Sequence, residues 1–398
     1  MDRLQKAARA RVRRVVGLNS GTSADGLDLI LLEVRGDGWS SKIRSLRFRS
    51  VPFPPDLKNQ IHSLLNRLTD PTKRNSVLTE DLVQTDMALG RFMGRSARTM
   101  IQWARRHSLT VHLVASHGQT VWHTPGHRPG TAATLQLGHP HSIAVAADLP
   151  VVADFRAADI AAGGQGAPLT PAFDYLLFKD CPEDTVALNL GGITNLTMVP
   201  AGGRPEEVIG FDIGPCNLLL DGLCRLLGGL PYDRGGRLSR DGRSREEVVR
   251  TLLQHPFYHK PPPRSTGRED FGPEFIRRFI RCDGPRRSLS DHLATGILLI
   301  ARSVAAALRE EIPDRYHPRR LVISGGGARN PALVAVLRKE GLSLGLKLVP
   351  FLEKGMTADS KEAGLFAWLG SEAVCGNRAH LPQVTGARSA QILGVYIP

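Results

Sequence analysis

The chain has 398 residues, 41% hydrophobic and 23% charged, a balance that excludes a disordered or collagen-like chain. This length exceeds what one core usually holds and predicts two domains, and no apolar run approaches the ~20 residues of a membrane span. The formal net charge of +14 rests on scattered arginines, with 6% aromatic residues and no recognised nucleic-acid module; this favours a solvated basic surface that attracts small anions and leaves a nucleic-acid binder as a rival class.

Residues 1–14, MDRLQKAARARVRR, read as a basic extension, either a short exposed helix or a disordered arm. VVGLNSGTSADGLDLILLEV then reads as strand, tight turn, strand. Val15 and Val16 are β-branched and end the first strand. Gly21 and Gly26 supply positive φ for the turn. Ser20, Thr22 and Ser23 add hydroxyl donors, and bare backbone N–H groups face an anion, as a phosphate-binding hairpin requires. No Gly-Lys-Ser/Thr follows, so this is not a P-loop.

Helices are predicted over 56–68 and 77–106 from their apolar spacing. VHLVASHGQT reads as a strand ending in a turn at Gly118. SIAVAADLPVVADF gives a helix and a short strand. TVALNLGGITNLTMVP repeats the opening plan, with Gly191 and Gly192 in its turn. Helices follow at 215–229 and 289–311, with a Pro/Gly-rich loop at 256–272 between them. RRLVISGGGARN is a buried strand running into Gly325, Gly326 and Gly327, then a helix from near Pro331. KLVPF is a late strand and 359–375 a late helix. Two glycine hairpins, one in each predicted half, would grip a polyphosphate across a cleft, and the third glycine turn suits a base or ribose.

The five cysteines are odd in number and form no Cys-x-x-Cys pair, which predicts reduced thiols in a cytoplasmic compartment. His117, His123, His127, His139 and His141 lie close in sequence, but their spacings fit no zinc pattern.

The opening hairpin resembles the GLMSGTSLDG signature of the anhydro-N-acetylmuramic acid kinases. SHGQT (116–120), VVADFR (151–156), GGQGAPLTPAF (163–173), NLGG (189–192), GFDIGPCN (210–217), STGRE (265–269), GGGARN (325–330) and EAGLFAW (362–368) resemble that family in the same order. The resemblance implies an α/β, two-domain actin-like ATPase (ribonuclease H-like) fold with the ATP cleft between domains. Residues 15–160 would form the first domain, with 378–398 packing back on it, and 161–377 the second. The implied cofactors are ATP and Mg²⁺. The implied partner is a small anhydrosugar, with no nucleic acid, no membrane and a homodimer left open. The implied reaction is ATP-dependent opening and 6-O-phosphorylation of 1,6-anhydro-N-acetylmuramic acid.

In that frame ATP would meet Gly21, Thr22, Ser23, Ala24, Asp25, Gly26, Leu27 and Asp28, then Gly191 and Gly192, then Gly325, Gly326, Gly327 and Asn330. A 1,6-anhydro sugar has no free O6, so water must attack the anomeric carbon as O6 takes the phosphoryl group, and a carboxylate must accept the water proton. Spacing leaves Asp212 open between that base and a helix N-cap; the resemblance implies the base, with Glu362 orienting the water or the anomeric centre. Asp25 would hold Mg²⁺ through water or serve as a turn aspartate. His117, Gln119 and Thr120 would contact the sugar, with Gln165 beside them. Arg156 is a sugar ligand or a salt-bridge partner of Asp154 or Asp159, and Gly163 and Gly164 allow sugar approach or a tight turn.

The sequence departs from the family pattern at four places. Asn19 stands for methionine, Ala24 for leucine and Cys216 for glycine. Ala157 and Ala158 stand where basic residues follow Arg156, which keeps a levoglucosan-type anhydrosugar kinase as the alternative. A non-sugar actin-like ATPase is the more distant rival: a polymer former or chaperone would need surfaces or a domain that the sequence does not display.

Overall fold

The computed structural model describes residues 3–21, 23–70, 72–124 and 131–398. The chain forms two α/β units, residues 1–176 with 352–398, and residues 177–351. The first begins with an antiparallel meander of β1 (Val12–Ser20), β2 (Gly26–Arg35) and β3 (Lys42–Pro52). Helices Pro55–Thr69 and Thr79–Arg106 carry the chain to β4 (Leu113–Thr124), parallel to β1. β5 (Ala133–Leu137) folds back on β4, and helix Pro140–Ala147 leads to β6 (Val151–Ala153), parallel to β4. Val15, Val16, Leu29, Ile30, Leu31 and Leu32 are all buried, because central strands covered on both faces need near-continuous apolar runs. Helix Thr79–Arg106 buries Leu89, Phe92, Met93, Met100 and Ile101 on one face and turns Arg91, Arg95, Arg98 and Arg105 outward, as helical periodicity dictates.

Two expectations change here. Gly118 does not end its strand: β4 continues to Thr124, and Gly118 takes φ 77° where it passes Leu137, whose carbonyl oxygen would lie 2.5 Å from an added Cβ. In the opening turn Gly21 and Gly26 do not have positive φ; Ala24 does, at 52°. Gly26 is bare because a Cβ would lie 2.6 Å from the Val51 carbonyl oxygen. Thr22 lies outside the described residues. Of the two readings of the basic extension, the short, largely exposed helix holds. The extension forms helix Arg3–Arg9 and enters β1 at Val12, with Arg13 buried and its Nε donating to Ser371 Oγ at 2.7 Å.

The second unit repeats the plan. β7 (Thr185–Leu190), β8 (Ile193–Val199) and β9 (Ile209–Pro215) form an antiparallel meander. β10 (Arg320–Ser324) then lies parallel to β7, and β11 (Lys347–Val349) parallel to β10. The orders β3-β2-β1-β4-β6 and β11-β10-β7-β8-β9 are the same arrangement read from opposite edges. A three-strand meander followed by two parallel strands on the far side of the first, made twice, is the two-domain actin-like ATPase architecture. Between β9 and β10 runs helix Leu289–Glu310, started by Ser288 Oγ accepting the Asp291 amide. Among the described residues it alone is long and apolar enough by length and composition to cross a membrane, and most of it is buried in the core of this unit.

The chain returns to the first unit as β12 (Leu352–Glu353), β13 (Met356–Thr357), helix Lys361–Val374 and β14 (Val395–Ile397), which pairs antiparallel with β6. The late helix lies flush on the first sheet. A Cβ on Gly17 would collide with the Ala363 carbonyl, and one on Gly370 would lie 2.5 Å from Ala115 Cβ. Phe173 packs on Trp368 and against Gly364. The division therefore falls at 176/177 and 351/352 rather than at 160/161 and 377/378, because residues on both sides of the expected boundaries share the first unit's core.

Candidate functional site

In the second unit Asp212 lies inside β9. The helix after Pro215 starts at Asn217 with Cys216 at its N-cap position, so Asp212 is not its cap. Asp212 is buried, and its Oδ2 accepts two hydrogen bonds, from the Thr266 amide at 2.9 Å and the Ser265 hydroxyl at 3.0 Å. Among the described residues Oδ1 accepts none. The backbone is fixed as well: the Asp212 amide donates to the Arg264 carbonyl at 3.1 Å, and Arg264 Nε donates to the Asp212 carbonyl at 3.0 Å. Arg264 also pairs with Glu311 at 2.8 Å and lies over the Phe211 ring. Burial raises the Asp212 carboxyl to about 6, against the downward pull of its Thr266 and Ser265 bonds; Glu269 adds to the rise. A carboxylate so placed is mostly ionised at neutral pH yet more basic than an exposed one, which is what general-base work asks for.

The β7–β8 turn is anchored through its carbonyls. Asn217 N donates to Gly191 O at 3.0 Å, and Cys216 N and Leu218 N donate to Gly192 O at 2.9 and 3.0 Å. A Cβ on Gly192 would meet nothing within 4 Å, so internal packing does not demand glycine there. The third turn is different. A Cβ on Gly325 (φ 83°) would lie 2.6 Å from Asn189 Oδ1, and one on Gly327 2.8 Å from Leu190 Cβ. These two glycines let the turn pack on the end of β7, and Gly326 is the more open one. Asn330 caps helix Pro331–Ser343, accepting the Ala332 and Leu333 amides.

In the first unit, Gly21 resembles Gly192: an added Cβ would meet nothing within 4 Å. Ala24 and Leu27 point into the core, so only their backbone is available to a ligand, and Ser23 stands in the turn beside them. Asp25 is largely exposed and pairs with Lys58 at 2.6 Å, while Asp28 accepts from Ser50 Oγ.

His117, Arg156 and Glu362 form a second cluster in this unit. Arg156 Nε donates to His117 Nε2 at 3.0 Å, and Arg156 NH1 donates to the Gly166 carbonyl at 2.7 Å. Burial lowers Arg156 to about 10, with Glu362 and Asp159 near enough to pull it back up, so it stays a cation at neutral pH. Burial, with Arg156 beside it, holds His117 well below 6.5. Its Nδ1 is buried and makes no well-formed hydrogen bond among the described residues, though the Gly118 backbone lies close enough to act on the ring, and its ring stacks on Phe366 at 4.3 Å. Glu362, in the first turn of helix Lys361–Val374, accepts from Asn19 Nδ2 at 2.9 Å.

Several residues expected at the sugar also have internal duties. Gln119 is buried, its Oε1 accepting from Ser20 Oγ at 2.5 Å and its Nε2 donating to the Thr120 carbonyl at 3.1 Å. Thr120 Oγ1 accepts from Gln136 at 3.3 Å. A Cβ on Gly164 would strike the Asp159 carboxylate, and Gly163 (φ 91°) faces the Arg388 guanidinium. The Gln165 amide donates to the Thr385 carbonyl at 2.9 Å. Asp159 organises this loop, accepting from the Gly166 amide at 2.7 Å and Thr385 Oγ1 at 2.5 Å, with His380 Nε2 at 3.0 Å.

Sequence reasoning gave no role to Asn19, His380, Thr385, Ser265 or Thr266, and gave Asp159 only that of a salt-bridge partner for Arg156. Ser265 and Thr266 lie in STGRE, a visible motif whose duty only tertiary contact reveals. Among the described residues no group of three His, Cys, Asp or Glu side chains could hold a metal ion; His127 lies outside them.

The twofold strand order and the two glycine turns define a two-domain ATPase of the actin-like class. The family model for anhydro-N-acetylmuramic acid kinase matches residues 13–398. The chain is 38% identical to the anhydro-N-acetylmuramic acid kinase of Salinibacter ruber over 99% of its own length and 98% of the relative's, and 35% identical to that of Caldanaerobacter subterraneus subsp. tengcongensis over 99% of each. The chain belongs to the anhydro-N-acetylmuramic acid kinase family. A solved structure of an activator of 2-hydroxyisocaproyl-CoA dehydratase from Clostridium difficile with bound ADPNP aligns over 91% of this chain and 95% of its own at 10% identity, with a TM-score of 0.40; the fold rests on the strand order instead.

Proposed function

We propose that the chain opens 1,6-anhydro-N-acetylmuramic acid with water and transfers the γ-phosphoryl group of ATP to O6, giving N-acetylmuramic acid 6-phosphate and ADP, a step in the reuse of peptidoglycan sugars. Family membership supports the substrate, and the Asp212 carboxylate carries the mechanism. Oδ1 takes a proton from water as the water oxygen bonds to C1. The C1–O6 bond breaks, and O6 forms its bond to the γ-phosphorus as ADP leaves. No acid is needed at O6, because the phosphoryl group caps it. Glu362 orients the water or the anomeric centre, and His117 offers its Nδ1–H to a sugar oxygen. Levoglucosan, the alternative substrate, is named by neither reported relative.

Nucleotide phosphates would approach the bare backbone at Gly21 and Gly192, where no internal contact explains glycine. Mg²⁺ keeps much of its water and takes few carboxylates, a demand that exposed Asp25 fits, and Asp25 would hold it through water. The ion would neutralise charge on the phosphates. Cytoplasmic action is part of the same reading.

The test is ADP release with anhydro-N-acetylmuramic acid, N-acetylmuramic acid, levoglucosan and glucose, followed by product analysis from ¹⁸O-water. The acidic anhydrosugar should give the highest kcat/KM and carry label at C1, corrected for anomer exchange. Equal use of levoglucosan would overturn the substrate, and an unlabelled fresh product would overturn the hydrolytic step.

A further inference from the structure

We propose that Asn19 is a positioning residue, one that fixes the rotamer of Glu362 and ties it to the root of the first glycine hairpin. The proposal rests on the role given to Glu362 above.

The placement follows from β1. Gly17 lies so close to helix Lys361–Val374 that a Cβ there would collide with the Ala363 carbonyl and lie 2.8 Å from Ala367 Cβ. Residues two apart on a strand share a face, so Asn19 meets the same helix one step further along. Glu362, immediately before Ala363, is the residue it finds. Asn19 is 3% exposed, and its Nδ2 donates to Glu362 Oε2 at 2.9 Å. An ionised carboxylate can only accept, so the carboxamide must turn its N–H₂ toward Glu362.

This bond leaves Glu362 Oε1 without a hydrogen bond among the described residues and fixes the direction in which it points. Ser20, the next residue, donates its one hydroxyl proton to Gln119 Oε1 at 2.5 Å, with the Gly26 carbonyl a second, longer acceptor for it at 3.1 Å. The two consecutive side chains thus tie one hairpin root to Glu362 and to β4. Arg156 lies near enough to feel the same carboxylate, but through space rather than by a hydrogen bond, so it does not fix the direction of the side chain. The family signature has methionine at this position, and methionine has no N–H to give. The chain therefore holds its carboxylate by a bond that the signature residue cannot make.

The test is a double-mutant cycle read as kcat and KM, with thermal unfolding alongside. Asn19→Met should lower kcat about tenfold, the weight of a hydrogen bond to a charged group, with both KM values within twofold and Tm little changed. In a Glu362→Gln background the same substitution should cost nothing further. Asn19→Asp, which sets two carboxylates against each other, should cost more than Asn19→Met alone and nothing beyond Glu362→Gln in the double variant. An inactive Glu362→Gln beside an Asn19→Met of wild-type kcat would overturn the proposal and leave the role of Glu362 standing. Equal losses in both backgrounds would overturn it too, since Asn19 would then act independently of Glu362. Near-normal turnover by Glu362→Gln would sink the reading of Glu362 itself.

Discussion

Arg156 Nε donates to His117 Nε2 at 3.0 Å, and that bond places the imidazole proton on Nδ1. Among the described residues Nδ1 is buried without a well-formed hydrogen bond, a donor available to a ligand. With the ring held well below 6.5 by burial, it stays neutral through ordinary pH. His117→Phe, which keeps the stack on Phe366, should raise KM for the anhydrosugar about tenfold and lower kcat less. Wild-type KM should be flat from pH 8 to 6 in steady-state assays. A KM that climbs as pH falls through 6.5 would show that His117 titrates and would unseat this role.

Asp212→Asn should lose ~10²–10⁴-fold in kcat and gain stability. One amide oxygen can still accept from both Thr266 and Ser265, because both bonds reach Oδ2. The folded carboxyl titrates near 6 against 3.8 in its ordinary state, so the charged form is disfavoured in the fold by roughly 3 kcal/mol. The protonated group's contribution is full below 3.8 and lost as pH rises through about 6. The variant should therefore melt higher at pH 7.5, with the gap closing toward pH 4. Wild-type turnover should rise with pH through about 6, and turnover by the variant within tenfold of wild type would move the base elsewhere.

The glycines divide into two kinds by what surrounds them. Gly21→Val and Gly192→Val have room in the protein and should fold, but each should abolish the rise in Tm that ATP gives the wild type. Gly17→Ala meets the Ala363 carbonyl and should melt lower with or without ATP. Undiminished ATP protection in folded Gly21→Val and Gly192→Val would end the two-hairpin reading.

Removing Asp159 should loosen the whole 163–166 loop. Burial pushes this carboxyl up, but His380, Thr385 and the Gly166 amide outweigh it and hold it below 3.8. Its stabilisation is full above 3.8 and fades as pH falls through the lowered value. Asp159→Ala leaves three donors without their acceptor and should cost about 3 kcal/mol or more, a Tm drop of roughly 6–12 °C in scanning calorimetry at pH 7. A drop under 2 °C would remove Asp159 from this role.

Both glycine hairpins were legible because apolar strands flanking glycine turns announce themselves in sequence, whereas the largely polar β3 that extends the first into a meander does not. Gly118 misled because glycine reads as a turn, whereas here it supplies a bulge inside a strand. Asp212 could be located, but not the Ser265 and Thr266 donors that set its charge, since these come from a loop more than fifty positions on. Gly325, Gly327 and Asn330 illustrate the reverse case. A glycine-rich turn before a helix suggests a ligand, yet close strand packing and an N-cap ask for the same residues. The unit boundaries were misplaced because nothing local in EAGLFAW says which sheet its helix will cover.

That helix and β14 also set the timetable of folding. Residues 177–351 form a unit whose own strands lie wholly within one stretch of chain, so it can close on itself as it leaves the ribosome. The earlier-made unit cannot. Gly17 and Ala115 wait for residues 361–374, and β6 waits for 395–397, gaps of roughly 10–70 s at common elongation rates. The part of the protein translated first is thus completed last, and its apolar central strands are what a nascent-chain chaperone would meet.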